Sequence, residues 1–171
     1  MRRFRVLMIT IVLLATTSLA LAGPSATAQS KQPRSTADVV SVRVAPGELT
    51  AEPGGEVSFE VEMDIADTWH LYDHSYAQDP ESFFIGVDLM PGEGANLAGF
   101  QATFPRGEEG EFMGEKVVML HHHAVIEVSV KLPQDASGEV AIPFVLTAQA
   151  CDDKICLQPS DVPVTAHVTV E

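Results

Sequence analysis

Hydrophobic and polar residues alternate with a period of two along several short stretches of the chain. The clearest case is residues 57 to 65 (VSFEVEMDI), where every second position is apolar and the positions between are serine or acidic. This alternation is typical of a β-strand with one face buried and the other in water. The sequence therefore predicts a strand here, within a sheet that has one wet face.

Similar alternation predicts further strands at residues 40–45, 83–89, 126–131, 140–146 and 164–170, with a weaker one at 98–104. Turn signals such as Pro53-Gly54-Gly55 separate them, and no stretch has a helical period. About eight short strands with regular turns favour an all-β fold. We predict a single immunoglobulin-like antiparallel β-sandwich domain over residues 38–171. The glycine-rich, acidic segment 106–116 (RGEEGEFMGEK) is not expected to form a core strand.

The N-terminus has the pattern of an export signal. A basic head with three arginines precedes an apolar run and small residues, with possible cleavage after Ala22 or Ala28. Threonines and a serine interrupt the apolar run, so a permanent transmembrane helix is the weaker interpretation. We predict a signal peptide at 1–28, a disordered lead-in at 29–37 and a periplasmic or otherwise exported domain with no stable membrane span after signal removal.

The acidic excess grows when the signal is removed. The net charge moves from -14 to -17, because 7 Lys plus Arg then stand against 24 Asp plus Glu. Such a surface repels phosphate backbones, and no basic patch opposes it. Nucleic acid is therefore excluded as an expected partner.

The only two cysteines, Cys151 and Cys156, are separated by the four residues DDKI. Their thiols can meet across a tight turn, and an exported compartment permits a disulfide. A structural disulfide is the ordinary interpretation for an exported β-domain. In the chain-entropy model, however, a loop of about six residues gives roughly 2 kcal/mol, against roughly 4.7 for a loop of 100. The spacing therefore suits a disulfide that opens locally better than it suits a disulfide that stabilises the whole fold.

Other chemistries fit the cysteines less well. The spacing is too long for the C-x-x-C of thioredoxin-like proteins, and zinc would need further ligands. In one continuous strand only His121 and His123 of the triple-histidine run could face the same ion, with Met113, Met119 or the thiols as weaker copper ligands. The alternative is that these histidines are solvent-facing. We expect no metal and no cofactor at the site.

Three segments carry a family resemblance. The C-x4-C loop and the Leu157-Gln158-Pro159 that follows it resemble the N-terminal domain of the thiol:disulfide interchange protein DsbD. The segment WHLY at 69–72 is similar to that family's aromatic segment, and GEFMGEK at 110–116 resembles its cap loop. The resemblance covers about residues 55 to 171 and implies an immunoglobulin-like sandwich with a redox-active cysteine pair.

The resemblance also implies a set of site residues. They are the pair itself, the cap-loop residues and two residues of the aromatic segment: Cys151, Cys156, Glu111, Phe112, Met113, His70 and Tyr72. Phe112 would be the ring that covers the disulfide. The chain departs from the family in its spacing, commonly five residues, and in His70 and Met113, which stand where tyrosine is common.

The function implied is thiol-disulfide interchange, as a protein-disulfide reductase or exchange component linked to cytochrome c biogenesis. The family's best-known members continue into a membrane electron-conducting domain and a thioredoxin-like domain, whereas this sequence ends at Glu171. We therefore expect a thioredoxin-like or membrane donor protein and exported disulfide-containing acceptor proteins in trans. The alternative is a non-catalytic immunoglobulin-like binding module with a structural disulfide. The acids and Lys154 of the loop act in opposite directions on the thiol pKa, so the attacking cysteine is left open.

Overall fold

The computed structural model of the protein describes residues 32–171, and these form one compact unit. The predicted signal peptide and residues 29–31 lie outside the described part. Within it a 3-10 helix at Thr36–Asp38 precedes twelve strands and one short helix. In chain order these are β1 (Val40–Ala45), β2 (Leu49–Ala51), β3 (Glu56–Ile65), β4 (His70–Tyr72), α1 (His74–Ala77), β5 (Asp88–Pro91), β6 (Gly99–Thr103), β7 (Glu108–Phe112), β8 (Glu115–His121), β9 (His123–Lys131), β10 (Gly138–Ala148), β11 (Ala150–Cys151) and β12 (Ser160–Val170).

Two four-stranded sheets form the sandwich. One has the order β1-β3-β9-β6 and is antiparallel throughout. The other has the order β2-β12-β10-β5 and is antiparallel except for the short β2–β12 pair. The long β10–β12 ladder runs without a break from Gly138 to Ala148, which leads directly into the cysteine segment.

The core lies between these two sheets. The apolar positions of β3 are buried and its polar positions mostly exposed, as the period of two predicts. Phe59 of β3 meets Phe144 of β10 with ring centroids 5.7 Å apart, and Val61, Met63 and Ile126 are fully buried. The predicted all-β, immunoglobulin-like antiparallel sandwich is confirmed. No helix within residues 32–171 is long and apolar enough to cross a bilayer.

A third sheet, with the order β11-β4-β8-β7, carries the cysteine segment. Its strands β7 and β8 form a hairpin joined by Met113 and Gly114, whose φ angles are 52° and 87°. Two consecutive left-handed residues define the tight turn that matches strand twist in a hairpin. Segment 106–116, which the pattern places outside the core, is therefore a hairpin at a sheet edge.

One predicted strand is only half right. The alternation at 83–89 places Phe83 and Ile85 in the core, but Phe83 is 94% exposed and Ile85 is exposed as well. Regular pairing begins only at Asp88, in β5. The reason is that Phe84 packs on Tyr72, with ring centroids 4.4 Å apart, which turns the opposite side of this segment outward.

The end of the expected disordered lead-in has structure. Ser35 pairs with Gln158, and Thr36 is fully buried in the 3-10 helix. The Thr36 hydroxyl accepts a hydrogen bond from the Ala150 N–H (2.8 Å) and donates one to the Gln158 carbonyl (3.1 Å). A polar composition predicts disorder, but here one buried hydroxyl satisfies backbone groups on both sides of the cysteine loop.

We predict that Thr36→Val lowers the free energy of unfolding by about 1–3 kcal/mol, because the isosteric side chain leaves the buried Ala150 N–H without a partner. Urea denaturation measures the change. The exposed Thr50 of β2 provides the matched control, and Thr50→Val should stay within about 0.5 kcal/mol of the parent. Equal stability of the two variants would show that the Thr36 hydroxyl contributes nothing.

Candidate functional site

Cys151 and Cys156 form a disulfide, with the sulfurs 2.00 Å and the Cα atoms 4.0 Å apart. Their environments differ. Cys151 is the last residue of β11 and is fully buried, whereas Cys156 lies in the loop after it and is exposed. A protein thiol arriving from solvent can therefore reach the Cys156 sulfur more easily than the Cys151 sulfur.

The loop between the cysteines is closed by its own hydrogen bonds. The Asp152 carboxylate accepts from the backbone N–H groups of Lys154 and Ile155, each at 2.8 Å. The Asp152 N–H donates to the Ile155 carbonyl at 2.9 Å. The two N–H donors, from Ile155 and then Lys154, lower the pKa of the Asp152 carboxyl despite a small opposing effect of burial. Aspartate at the first position of such a turn is thus a local cause of the loop's shape.

Both ends of the loop are anchored. The Leu157 N–H donates to the Ala150 carbonyl at 2.8 Å, and the Leu157 side chain is buried in the sandwich core. On the other side Cys151 is held in the β11–β4 ladder. Opening the disulfide would therefore release only the residues between two fixed points.

The buried sulfur belongs to a small aromatic cluster, separate from the sandwich core, which we call the site cluster. Its members are Tyr72, Phe112, Val117, Met119 and Cys151, with Tyr76 and Phe84 packed against it. Phe112 is 6% exposed, and its ring centroid lies 6.2 Å from that of Tyr72 and 6.0 Å from that of Phe84. The ring at the end of β7 thus lies in the same buried cluster as Cys151.

Several cluster members carry no clear sequence signal. Phe84 stands at one of the positions that alternation in the predicted strand assigns to the exposed face, although its side chain packs inward. Tyr76 follows β4 in α1, where Asp73 caps the helix by accepting from the Ser75 N–H at 3.0 Å. The Tyr76 hydroxyl accepts a hydrogen bond from the Val118 N–H at 2.9 Å, which ties α1 to β8. Their ring contacts with Tyr72 show that these residues share one site.

His70 and Tyr72 lie on the site-facing side of β4. His70 is 5% exposed, and its ring centroid is 5.6 Å from that of Phe112 and 5.4 Å from that of Tyr72. Burial lowers the pKa of His70, and the charge of His121 acts in the same direction, while Asp153 and Asp152 oppose the shift. Burial raises the pKa of the Tyr72 phenol to about 12. Both side chains are therefore uncharged at neutral pH in the disulfide form.

Exposed apolar side chains flank the cluster. Met113 is 80% exposed at the hairpin tip, and Ile155 is exposed beside Cys156. Phe83, also exposed, contacts Phe84 with ring centroids 5.9 Å apart. Of the seven sequence-predicted site residues, three belong to the site cluster: Tyr72, Phe112 and Cys151. His70 packs against two of its rings, and Cys156 completes the disulfide. Met113 and Glu111 are exposed on the hairpin.

The triple-histidine run is not one continuous strand. His121 ends β8, His123 begins β9, and His122 between them has a φ of 57°. The His121 ring lies 5.8 Å from His70, whereas His123 bonds Asp64 at 2.8 Å. Within residues 32–171 no group of three or more histidines, cysteines or acids is placed to hold a metal ion.

The protein is thus an immunoglobulin-like sandwich with a short disulfide loop, whose buried cysteine shares a cluster with the hairpin residue Phe112. The model of the family described as thiol:disulfide interchange protein DsbD, N-terminal, matches residues 36–166. The chain belongs to this family. A comparison with curated protein sequences gave no match.

The fold of a solved structure is similar to that of this chain. The N-terminal periplasmic domain of ScsB from Proteus mirabilis superposes with a TM-score of 0.57 at 16% identity, over 75% of this chain and 46% of that one. The chain thus spans about half the length of the ScsB structure. The reduced N-terminal domain of DsbD from Neisseria meningitidis gives a TM-score of 0.44 at 24% identity, over 74% of this chain and 88% of that one.

We predict that Met113→Asn stabilises the protein by about 0.5–1 kcal/mol, because asparagine tolerates the left-handed conformation that costs other residues about 1–2 kcal/mol. Met113 has few contacts to lose, since it is mostly exposed. Thermal and urea unfolding measure the gain. The matched control is Met90→Asn, an exposed strand position with an ordinary φ, where asparagine should not stabilise. A gain at both positions would mean that turn geometry is not the cause.

Proposed function

We propose that the protein is an exported thiol-disulfide interchange domain that relays reducing equivalents through the Cys151–Cys156 pair. The donor is a thioredoxin-like or membrane protein, and the acceptors are exported proteins that contain disulfides. The observation that carries this proposal is the pairing of one buried and one exposed sulfur in a locally closed loop under an aromatic ring. Family membership supports the same chemistry.

The difference in exposure supports an assignment of roles to the two cysteines. Exchange requires a thiolate to approach a sulfur in line with the disulfide bond, so access decides which sulfur is attacked. Cys156 is exposed and is the sulfur that forms the mixed disulfide with a partner. Cys151 is buried and is the leaving group when the disulfide is attacked, and the resolving thiol when the mixed disulfide is released.

The cap-loop residues have different parts in this proposal. Phe112 is buried with Cys151 and covers that sulfur, so it excludes small thiols from Cys151. Met113 and Glu111 are exposed on the same hairpin, where an arriving protein would meet them first. His70 and Tyr72 form the wall of the site on β4. Two exposed side chains, Ile155 next to Cys156 in the chain and Phe83 against Phe84 of the site cluster, add apolar surface around the site. Such a surface suits a protein partner better than a small hydrophilic thiol.

The export proposal depends on residues outside the described part. The N-terminal sequence has the basic, apolar and small-residue order of a signal peptide. The matched ScsB domain is described as periplasmic. Disulfides form and persist in such oxidising compartments. A pair that works as a reductant there needs a dedicated electron donor.

We predict that Cys151→Ser, which keeps Cys156, forms a mixed disulfide at least about tenfold faster than Cys156→Ser, because only Cys156 is accessible. The reagent is a thioredoxin variant with a single cysteine activated by thionitrobenzoate. Release of thionitrobenzoate gives the rate, and mass spectrometry confirms the adduct. Equal rates would contradict the assignment of the attacked sulfur.

The same assay distinguishes an exchange domain from a binding module with a structural disulfide. If neither single-cysteine variant forms an adduct with thioredoxin and the wild-type disulfide potential lies well below about -300 mV, the pair is structural. The protein would then be an immunoglobulin-like binding module rather than an exchange domain. The double variant Cys151→Ser/Cys156→Ser is the blank for both reactions.

We predict that Phe112→Ala raises the rate of disulfide reduction by dithiothreitol about tenfold, because loss of the ring uncovers the buried Cys151 sulfur, both to attack and to the water that stabilises its leaving thiolate. Met113→Ala, one residue further along the hairpin but exposed, is the matched control and should leave the rate unchanged. Phe112→Leu retains apolar cover and should fall between them. Urea denaturation first establishes that each variant is folded, and equal reduction rates for all three would mean that Phe112 only packs.

A further inference from the structure

Two buried polar atoms at the site have no hydrogen-bond partner. Among residues 32–171 the buried side-chain atoms without a hydrogen bond are Glu62 Oε2, His70 Nε2 and the Tyr72 hydroxyl. Glu62 forms an ion pair with Arg43. The two that remain are both on β4, facing the site cluster. Buried polar groups are nearly always satisfied, so an unpaired group beside a reactive sulfur points to a partner present in another state of the site.

The sheet register places His70 next to the buried sulfur. In the antiparallel β11–β4 pair Cys151 lies directly opposite His70. Opposite residues point to the same face, with Cβ atoms about 4.5–5.5 Å apart. On its other side His70 lies opposite His121 of β8, so one row across the sheet contains Cys151, His70 and His121.

The redox state of Cys151 changes what it offers to His70. A disulfide sulfur is a weak acceptor, whereas a thiolate carries a full negative charge and accepts strongly from N–H donors. We propose that His70 Nε2 donates a hydrogen bond to the Cys151 thiolate once the disulfide opens, so that His70 stabilises the leaving group and holds a proton for it. This inference rests on the proposed function, since it gives that same cysteine pair its proton donor.

Reduction of the disulfide takes two exchange steps. A thiolate of the partner dithiol attacks the Cys156 sulfur, a new S–S bond forms, and the Cys151–Cys156 bond breaks with its electron pair on Cys151. The neutral His70 ring first donates its Nε2–H hydrogen bond to the Cys151 thiolate. The negative charge of the thiolate then favours uptake of a proton from water at Nδ1, and the imidazolium passes its Nε2 proton to the Cys151 sulfur and returns to the neutral form. The second thiolate of the partner next attacks its own sulfur in the mixed disulfide, and Cys156 leaves and takes a proton from water. The partner dithiol is oxidised to a disulfide, and the pair gains two electrons.

Charged groups around His70 set its state in each form. His121 on β8 disfavours the imidazolium, and Asp152 and Asp153 on the cysteine loop favour it, but burial dominates and keeps the ring neutral in the disulfide form. A thiolate at Cys151 adds a negative charge directly opposite the ring. Because opposite charges favour one another, the pKa of His70 rises on reduction and the pKa of the Cys151 thiol falls.

The test on the wild-type protein is an NMR titration of the histidine rings in the oxidised and the dithiothreitol-reduced forms. We expect the pKa of His70 to rise by about one unit on reduction, a tenfold change in its protonation equilibrium. His167, exposed on β12 of the sandwich, is the internal reference and should not change. An unchanged pKa of His70 would overturn the proposal, leaving it a packing residue. No substitution is needed, so a folding defect cannot intervene.

A second measurement reads the thiol itself. In Cys156→Ser the only remaining thiol is Cys151, and its ultraviolet thiolate absorbance against pH gives its pKa. Adding His70→Phe should raise that pKa by about one unit, a tenfold loss of thiolate. Adding His167→Phe should not change it, and equal values for all three would contradict the proposal. Neither titration involves a partner protein, so failure of partner exchange and failure of the His70 contact are separate outcomes.

Discussion

The pairing of the two-residue strand β11 with β4 is the constraint on which the site depends. It holds Cys151 in a buried row opposite His70, while the chain leaves the sheet at once and returns Cys156 to the surface. Two thiols five positions apart thus have opposite accessibility. Access to one sulfur and protection of the other is what an ordered exchange requires, because it decides which bond a partner forms first.

That pairing is in turn held in place by interactions on both sides of it. The Ala150 N–H is satisfied by the Thr36 hydroxyl, and the Ala150 carbonyl by the Leu157 N–H. The loop itself is shaped by the Asp152 carboxylate. Since these contacts fix both ends of the loop, a change in the oxidation state of the sulfurs need not reach the sandwich core. This agrees with the small entropy that so short a loop contributes as a staple, about 2 kcal/mol.

The sequence predicts the sandwich well and the site less completely. Strand β3 follows from its period of two, because one of its faces is buried along its whole length. The cysteine spacing also indicates a local disulfide without any structure. In contrast, the role of Phe84 and the exposure of Phe83 depend on packing against Tyr72, and alternation gives the wrong face there. The buried place of Thr36 was equally hidden, because a threonine in a polar segment predicts no tertiary contact.

The aromatic hairpin lies apart from the packing that stabilises the sandwich. Among the described strands β7 pairs with β8 alone, so Phe112 lies at the edge of the third sheet and outside the sandwich core. Displacing that ring would expose part of the site cluster but would leave β3, β9, β10 and β12 packed. If the aromatic ring over Cys151 belonged to a core strand, displacing it would also disturb the sandwich core, because core packing is dense and transmits strain. The edge hairpin therefore places the residue that packs on Cys151 outside the packing that holds the sandwich together.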